Sequence, residues 1–372
     1  MAAPVANETK TEARGILADR QIEALAASGA ILAPPFAAGQ AQPASLDLRL
    51  GKRAWRMRAS FLPGGRKVAE RAAELSLHEI DLCDGAVLET DCVYLCELLE
   101  GLALPHDIAA STNPKSSTGR IDVFTRVICN GAREFDQIPA GYDGPLFAEV
   151  SPRTFPALVR TGSRLSQIRF RRGHARLDDE EHRALHAREK LVTSSEPSIS
   201  GGGVAVSIDL AGFDASGLVG WRAKRHTGLI DVDKPGAQDP HDFWEPIFSR
   251  GARELVLDPG EFYILASKEA VRVPPDHAAE MTPFDPLVGE FRVHYAGFFD
   301  PGFGASEAGG KGARAVLEVR SHDVPFILED GQTVGRLVYE RMAEKPRALY
   351  GADLKSNYQA QGLKLSKHFR AP

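Results

Sequence analysis

Two hydroxyls, a glycine and two cations share one short segment of the chain, PKSSTGR, residues 114–120. Ser116 and Ser117, flanked by Lys115 and Arg120, offer donors to a polyanion, without the G-x-x-x-x-G-K spacing of a Walker loop. The same composition also suits a solvated turn. The segment is therefore a candidate phosphate-binding loop.

A second candidate site combines a turn with a carboxylate. In AGFFDPGFG, residues 296–304, Asp300 opens a D-P-G turn between aromatic residues. Such a hairpin could grip a flat ring, although D-P-G also forms turns without any ligand. Glu318 follows in the apolar run RAVLEVRS. It either alternates outward to solvent or is buried, and a buried carboxylate beside a ligand gains a raised pKa that suits proton transfer.

The C-terminal stretch LYGADLKSNYQAQGLKLSKHF spaces aromatic and cationic side chains along a glycine-containing tail. It either remains a solvated tail or closes over a phosphorylated ligand. The residues concerned are Tyr350, Lys355, Tyr358, Gln361, Lys364 and Lys367.

The elements that must position these residues occur in two copies. Several positions of the first half recur in the second with one constant offset of 169, as from Pro105 to Pro274 and from Glu149 to Glu318. Such an offset indicates a duplicated unit. Short apolar runs bounded by Gly, Pro, Asn and Asp predict β-strands in both copies. ILADRQIEALAASGAI predicts a short N-terminal helix from Arg20 to Ala27, with Asp19 as its N-cap.

The predicted domains are therefore a first repeat over 1–170, a linker over 171–203 and a second repeat over 204–372. The linker contains RLDDEEHRALHAREKL, which predicts an exposed helix, followed by the flexible hinge SSEPSISGGG. A regulatory role for this helix is the alternative.

Composition bounds the function. The 372 residues are 43% hydrophobic and 26% charged with a net charge of −5, which predicts a soluble globular protein without a broad nucleic-acid-binding face. No apolar run predicts a membrane span or a secretion signal, so we expect a cytoplasmic protein without a membrane partner. The cysteines form no C-x-x-C pair, and we expect buried, reduced thiols and no zinc. They are Cys83, Cys92, Cys96 and Cys129.

As an ordered set, these motifs resemble the dCTP deaminase family of the trimeric dUTPase superfamily. ILADRQIEALAASGAI with ASLDLRLG is similar to the N-terminus of the family, and PKSSTGR to its R-S-S-x-x-R phosphate motif. AGFFDPGFG with VLEV resembles its nucleoside hairpin and catalytic glutamate, and NYQAQG its K-Y-Q-x-Q-G tail. The resemblance implies a mainly β fold: two tandem dUTPase-like distorted jelly-roll (β-clip) domains, with a short N-terminal helix and a helical linker.

The resemblance also implies a reaction. It is a metal-free deamination of dCTP at cytosine C4 that yields dUTP and ammonia, unlike the chemistry of zinc deaminases. Glu318 would be the general base, while Ser116 and Arg120 would orient the attacking water and stabilise charge. The triphosphate would arrive as a Mg²⁺ complex. The substrate-binding residues implied are Lys115, Ser117, Ala296, Phe298, Asp300, Tyr350, Tyr358 and Gln361.

The two copies depart from the family pattern in complementary ways. Where the first has PKSSTGR, the second has PFDPLVGE, without the serines and the arginine. The hairpin of the first copy, CNGAREFDQIPAGYDG, lacks A-G-x-x-D-P-G, although Glu149 remains. We therefore expect a composite site with Glu318 rather than Glu149 as the base, at a repeat or subunit interface of a homo-oligomer. Because a ring of three cannot alternate two kinds of repeat, either the rings are unevenly mixed or the packing departs from the family trimer.

Two further departures leave alternatives open. The hairpin is closer to that of enzymes that also remove pyrophosphate, and Asp300 matches the catalytic aspartate of dUTPases, so a bifunctional enzyme forming dUMP, or a plain dUTPase, is one alternative. A catalytically inactive nucleotide-binding regulator is another. The eleven residues Ala305 to Ala315 separate the hairpin from Val316, and this long loop could displace Glu318.

Overall fold

The structure is a computed structural model, and it describes residues 13–212, 215–249, 251, 253–283, 291–294, 297–305, 312–321, 323–351 and 362–371. It is mainly β, which confirms the predicted fold class at that level. No helix among these residues has the length and apolar character to cross a membrane.

The first half consists of short strands and three helices. The helices are α1 (Asp19–Ala27), α2 (Val68–Leu75) and α3 (Ser116–Gly119). The strands are β1 (Gly15–Ile16), β2 (Ile31–Leu32), β3 (Leu46–Leu48), β4 (Leu50–Met57), β5 (Ser76–Asp81), β6 (Ala86–Leu88), β7 (Val93–Ala103), β8 (Ile108–Pro114), β9 (Val123–Cys129), β10 (Gln137–Ile138), β11 (Asp143–Pro152), β12 (Ala157–Val159) and β13 (Ser166–Arg172).

The second half has the same character. Its helices are α4 (Asp179–Glu189) and α5 (Pro240–Phe243). Its strands are β14 (Ile199–Ser200), β15 (Gly203–Ser207), β16 (Leu218–Ala223), β17 (Ile230–Asp231), β18 (Trp244–Phe248), β19 (Glu254–Leu257), β20 (Phe262–Val271), β21 (His277–Pro283), β22 (Phe291–His294), β23 (Phe298–Phe299), β24 (Ala313–Ser321), β25 (Phe326–Glu329) and β26 (Thr333–Arg341).

Each half pairs its strands into two main sheets. In the first half the orders are β1-β13-β8-β10 and β5-β4-β7-β11-β9, and in the second they are β14-β15-β26-β21-β23 and β18-β16-β20-β24-β22. The pairing repeats at the offset read from the sequence: Glu149 of β11 lies opposite Leu95 of β7, and Glu318 of β24 lies opposite Ile264 of β20. The two glutamates therefore occupy the same register position in their sheets.

The two halves are joined by shared structure. β17 of the second half pairs in parallel with β12 of the first, in the sheet β17-β12-β6. One hydrophobic core contains side chains of both halves, with Phe155 packed edge-on against Phe243 and Trp244 at ring distances of 5.5 and 5.3 Å. This continuity fixes the first-half loops against the second-half sheets.

Three local expectations need correction. Ala18, not Asp19, is the N-cap of α1, because the Gln21 side chain accepts a hydrogen bond from the Ala18 amide. α2, a helix of eight residues that the sequence analysis did not identify, forms on the spacing of its buried residues, Val68, Ala72 and Leu75.

The predicted exposed linker helix, α4, buries His182 and Leu185 against the second half, and His182 Nε2 accepts a hydrogen bond from the Tyr339 amide at 3.1 Å. The expectation of buried cysteines holds for Cys96 and Cys129 but not for the exposed Cys83.

Candidate functional site

The candidate phosphate loop is a single helical turn at the end of β8. The Lys115 amide donates to Leu165 O at 2.9 Å, and Lys115 O accepts from the Thr118 and Gly119 amides at 2.8 and 3.0 Å. Within this turn Ser117 is buried, whereas Lys115 and Ser116 are half-buried. These backbone bonds fix the direction in which the side chains of PKSSTGR leave the turn.

Arg120, at the end of the turn, reaches the second half of the chain. Its Nε lies 3.8 Å from Glu318 Oε1, and the two side chains are 4% and 7% exposed. One of its terminal nitrogens also donates to Lys364 O at 2.9 Å. The structure thus brings together the predicted cation of one repeat and the predicted carboxylate of the other within a single chain.

Glu318 is buried in the middle of β24. Burial raises the pKa of its carboxyl from the ordinary 4.5 to about 8, while the charge of Arg120 acts to lower it. A carboxyl with this pKa exchanges a proton near neutral pH. Of the two orientations that the sequence allowed for this side chain, the structure shows the buried one.

The long loop after the hairpin does not alter the register of β24. Gly312 N donates to Gly304 O at 2.9 Å, so the two ends of the loop meet. Glu318 keeps the register position that Glu149 has in the first half. The extra residues therefore leave the carboxylate in place.

The nucleoside hairpin candidate is held by backbone bonds and ring contacts. β23 pairs with β21, with Phe298 opposite Glu280. Phe299 packs edge-on against Phe303 at 5.0 Å between ring centroids, and Phe303 contacts Tyr350 at 5.6 Å. The Tyr350 amide donates to Pro301 O at 2.8 Å, which joins the start of the tail to the D-P-G turn.

Asp300 is buried within this hairpin and faces charged groups of the first half. Arg169 lies 3.4 Å from its Oδ1. Burial raises the pKa of Asp300, and Asp47 raises it further, whereas Arg169 and Lys115 lower it. Asp47 in turn forms an ion pair with Lys115. Asp47 therefore contacts the predicted phosphate loop and Arg169 the predicted hairpin, and the charges of Asp47 and Lys115 both act on Asp300. The sequence identified neither Asp47 nor Arg169 as a site residue.

The end of the chain also contacts the phosphate loop. Ser366 Oγ donates to Ser117 O at 2.8 Å, and His368 Nδ1 lies 2.8 Å from the same hydroxyl. His368 Nε2 is 2.9 Å from Val232 O, and burial lowers the pKa of this histidine to about 4. Ser366 and His368 were also missed, because a Ser-x-His spacing near a terminus carries no signal of its own.

Glu149, the counterpart of Glu318, has a different environment. It forms an ion pair with Arg126 of the adjacent strand β9. The Arg126 guanidinium stacks on Phe135, with its Cζ 3.5 Å from the ring centroid. An arginine of the same half therefore occupies the space in front of this carboxylate.

Some predicted residues lie outside the part of the chain that the structure describes. They are Ala296, Lys355, Tyr358 and Gln361. The described site therefore comprises the phosphate loop, the D-P-G turn, Tyr350 and Glu318.

Comparison with known proteins supplies independent findings. Residues 13–174 match the model of the 2'-deoxycytidine 5'-triphosphate deaminase N-terminal domain, and residues 178–369 match that of the C-terminal domain. A crystal structure of 2'-deoxycytidine 5'-triphosphate deaminase from Agrobacterium tumefaciens is similar with a TM-score of 0.88 and 62% identity, over 92% of this chain and 99% of that one.

Shorter relatives match part of the chain. A protein of Methanoculleus marisnigri is 33% identical over 161 residues, which are 42% of this chain and 80% of the relative. One of Beutenbergia cavernae is 31% identical over 157 residues, 42% of this chain and 78% of the relative. Both carry the name "dCTP deaminase, dUMP-forming".

Proposed function

Because the chain belongs to the dCTP deaminase family, we propose that it deaminates dCTP at one composite site between its two halves. The observation that carries the proposal is the contact of Arg120 with Glu318, at 3.8 Å between buried side chains of different halves. This pair lies within one chain, so it does not need a second copy. Self-association is a separate part of the proposal, tested by light scattering of the purified protein.

Glu318 is the proposed general base. It removes a proton from a water that attacks C4 of the cytosine ring. The bond between C4 and the exocyclic amino nitrogen then breaks as that proton is delivered to the departing amine, and the second proton of the water passes to N3 of the ring. The products are a C4 carbonyl and ammonia. The raised pKa of Glu318, about 8, supports both proton transfers. Arg120 stabilises the charge that develops, and Ser116 orients the water.

The remaining roles belong to substrate binding. Lys115 and Ser117 bind the triphosphate, which arrives as its Mg²⁺ complex. Phe298 and the backbone around Ala296 contact the base. Asp300 and the tail residues complete the pocket, with Tyr350, Tyr358 and Gln361 closing it.

A second candidate function continues the reaction to dUMP and pyrophosphate. Two observations favour it. Relatives such as those of M. marisnigri and Nanoarchaeum equitans are named dUMP-forming. Asp300 is buried beside Arg169, and the charge of Lys115 lowers its pKa. A carboxylate next to the phosphate loop is suited to activating a second water against the α-phosphate.

Product analysis tests these proposals. Purified protein is incubated with dCTP and Mg²⁺, and the nucleotides are separated by chromatography while ammonia is assayed. Recovery of dUTP supports simple deamination, dUMP supports the second candidate, and unreacted dCTP despite binding indicates a nucleotide-binding regulator.

The matched pair of variants Glu318→Gln and Glu149→Gln decides which carboxylate works. We expect Glu318→Gln to bind dCTP without releasing ammonia, and Glu149→Gln to retain turnover because Arg126 already occupies its carboxylate. The reverse pattern would remove the composite site from consideration.

A further inference from the structure

The interface between the halves contains a cation that the proposed chemistry does not use. Arg169, on β13, is 1% exposed, and its partners lie in the second half. Its guanidinium donates to Ala279 O at 3.1 Å and to Phe299 O at 3.4 Å, and its ion-pair contacts are Asp300 Oδ1 at 3.4 Å and Glu340 Oε2 at 3.5 Å.

Three of the contacts of Arg169 fall on the nucleoside hairpin itself. Its Cζ lies 4.0 Å from the ring centroid of Phe298, within the range of a cation–π contact. The next residue, Phe299, accepts through its carbonyl, and Asp300 through its carboxylate. One planar guanidinium therefore contacts three consecutive residues of the turn, a geometry that the single point charge of a lysine does not reproduce.

The contact between Arg169 of the first half and Asp300 of the second has no equivalent with the halves exchanged. The counterpart of Arg169, at the offset of 169, is Val338. The counterpart of Asp300 is Pro139, because Phe299 pairs with Ala279 as Ile138 pairs with the equivalent Ala110. Both partners of the reciprocal contact are thus missing. In both pairs, Arg169 with Asp300 and Arg120 with Glu318, the first half supplies the arginine and the second half the carboxylate.

We propose that Arg169 is a positioning residue of the composite site: from the first half it fixes the 298–300 hairpin of the second half in the conformation that receives the nucleoside. It touches no reacting atom and acts through Phe298 and Asp300. The inference rests on the proposed function for what the hairpin binds, but the arrangement of the hairpin itself does not depend on that function.

The test compares Arg169→Met with Arg171→Met. Arg171 lies two residues along the same strand and contacts the same Glu340, at 3.9 Å, but its hydrogen-bond partner is Gln137 of the first half. Both variants weaken the charge network between the halves, and only the first removes the contacts to 298–300. Arg169→Lys retains the charge and serves as the second variant if Arg169→Met does not fold.

Two readouts separate positioning from general stability. We expect Arg169→Met to raise the KM for dCTP about tenfold or more while kcat changes less, since uniform binding of the nucleoside is lost. Arg171→Met should keep both constants, and Arg169→Lys should restore KM in part. In the ligand-free proteins, hydrogen exchange of residues 297–305 should accelerate in Arg169→Met alone, with β20 and β24 unchanged.

Equal exchange of the hairpin in the two methionine variants, or an unchanged KM in Arg169→Met, would overturn the role of Arg169. If the wild-type protein forms no uracil nucleotide from dCTP, the proposed function fails instead, and the exchange comparison still decides whether Arg169 holds the hairpin.

Discussion

Replacing Glu318 with glutamine should stabilise the protein, and by more at high pH than at low pH. Burial raises the pKa of this carboxyl from 4.5 to about 8. The folded state therefore binds the proton more tightly than the unfolded state, and the stability this contributes is present below pH 4.5 and lost as the pH rises through 8. At about 1.4 kcal/mol per pKa unit, the free energy of unfolding above pH 8 is about 5 kcal/mol lower than it would be with a group that stays neutral. Near pH 5.5 the difference is about 1 kcal/mol.

Glutamine resembles the protonated carboxyl and avoids that cost. With an unfolding entropy of about 2 cal/mol/K per residue, a chain of 372 residues gains about 1.3 °C in Tm per kcal/mol. Calorimetry should therefore show Glu318→Gln melting about 6 °C above the wild type at pH 9 and about 1 °C above it at pH 5.5. A gain that does not grow with pH, or a loss of stability at pH 9, would refute the burial argument.

Glu149→Gln is the matched control for this measurement. Glu149 has the same register position, but it forms an ion pair with Arg126. Its amide variant leaves the Arg126 guanidinium, which is 25% exposed, without its carboxylate and should lower Tm at both pH values. Opposite signs for the two variants would show that equivalent positions have acquired different electrostatic environments.

Three further predictions concern the site. Arg120→Met removes a charge that stabilises the transition state, so kcat/KM at pH 7 should fall by about 10²–10³. The same charge lowers the pKa of Glu318, so the pH at which kcat/KM rises, near 8 in the wild type, should be higher in the variant. Ser366→Ala deletes the hydroxyl that donates to Ser117 O and should cost about 1 kcal/mol of stability, with a raised KM for dCTP but an unshifted pH profile. Asp300→Asn should block release of pyrophosphate from dUTP more than release of ammonia from dCTP, and equal loss of both would remove Asp300 from the second candidate reaction.

The sequence was sufficient to predict the strands and the pair of groups at the centre of the site. Strand signals are local: apolar runs between turn residues predict the mainly β class. The Arg120–Glu318 pair was accessible for another reason: the first half has PKSSTGR and the second has the A-G-x-x-D-P-G hairpin, which led to the expectation of a composite site. The resemblance to a known family then supplied the proposed chemistry, and family membership is confirmed by the domain models.

Other parts of the site could not be predicted because they depend on contacts between distant segments. In SQIRFRR, residues 166–172, Arg169 and Arg171 are two positions apart and therefore lie on the same face of the strand. No local pattern shows that Arg169 is buried against the other half while Arg171 is partly exposed. The sequence does mark Asp47 as part of a recurring motif, because SLDL at residues 45–48 recurs as SIDL at residues 207–210. Its ion pair with Lys115 joins segments 68 residues apart, and only the fold shows it.

Glu149 and Glu318 share a register position in their sheets, so one half can lose a group that the other half keeps. When every copy supplies both the phosphate loop and the glutamate, each strand must accommodate a buried carboxylate that faces an empty site. In this chain the position of Glu149 is instead closed by Arg126 stacked on Phe135, and the reciprocal of Arg169 is an apolar valine. The second half keeps Glu318, whose pKa burial raises to about 8. Arg126→Met removes the cation that pairs with Glu149 and should lower Tm, because a buried carboxylate is left without its partner. The variant should not gain a second active site, because the second half has no serines or arginine at the position of PKSSTGR. A doubling of kcat in that variant would contradict this division of roles.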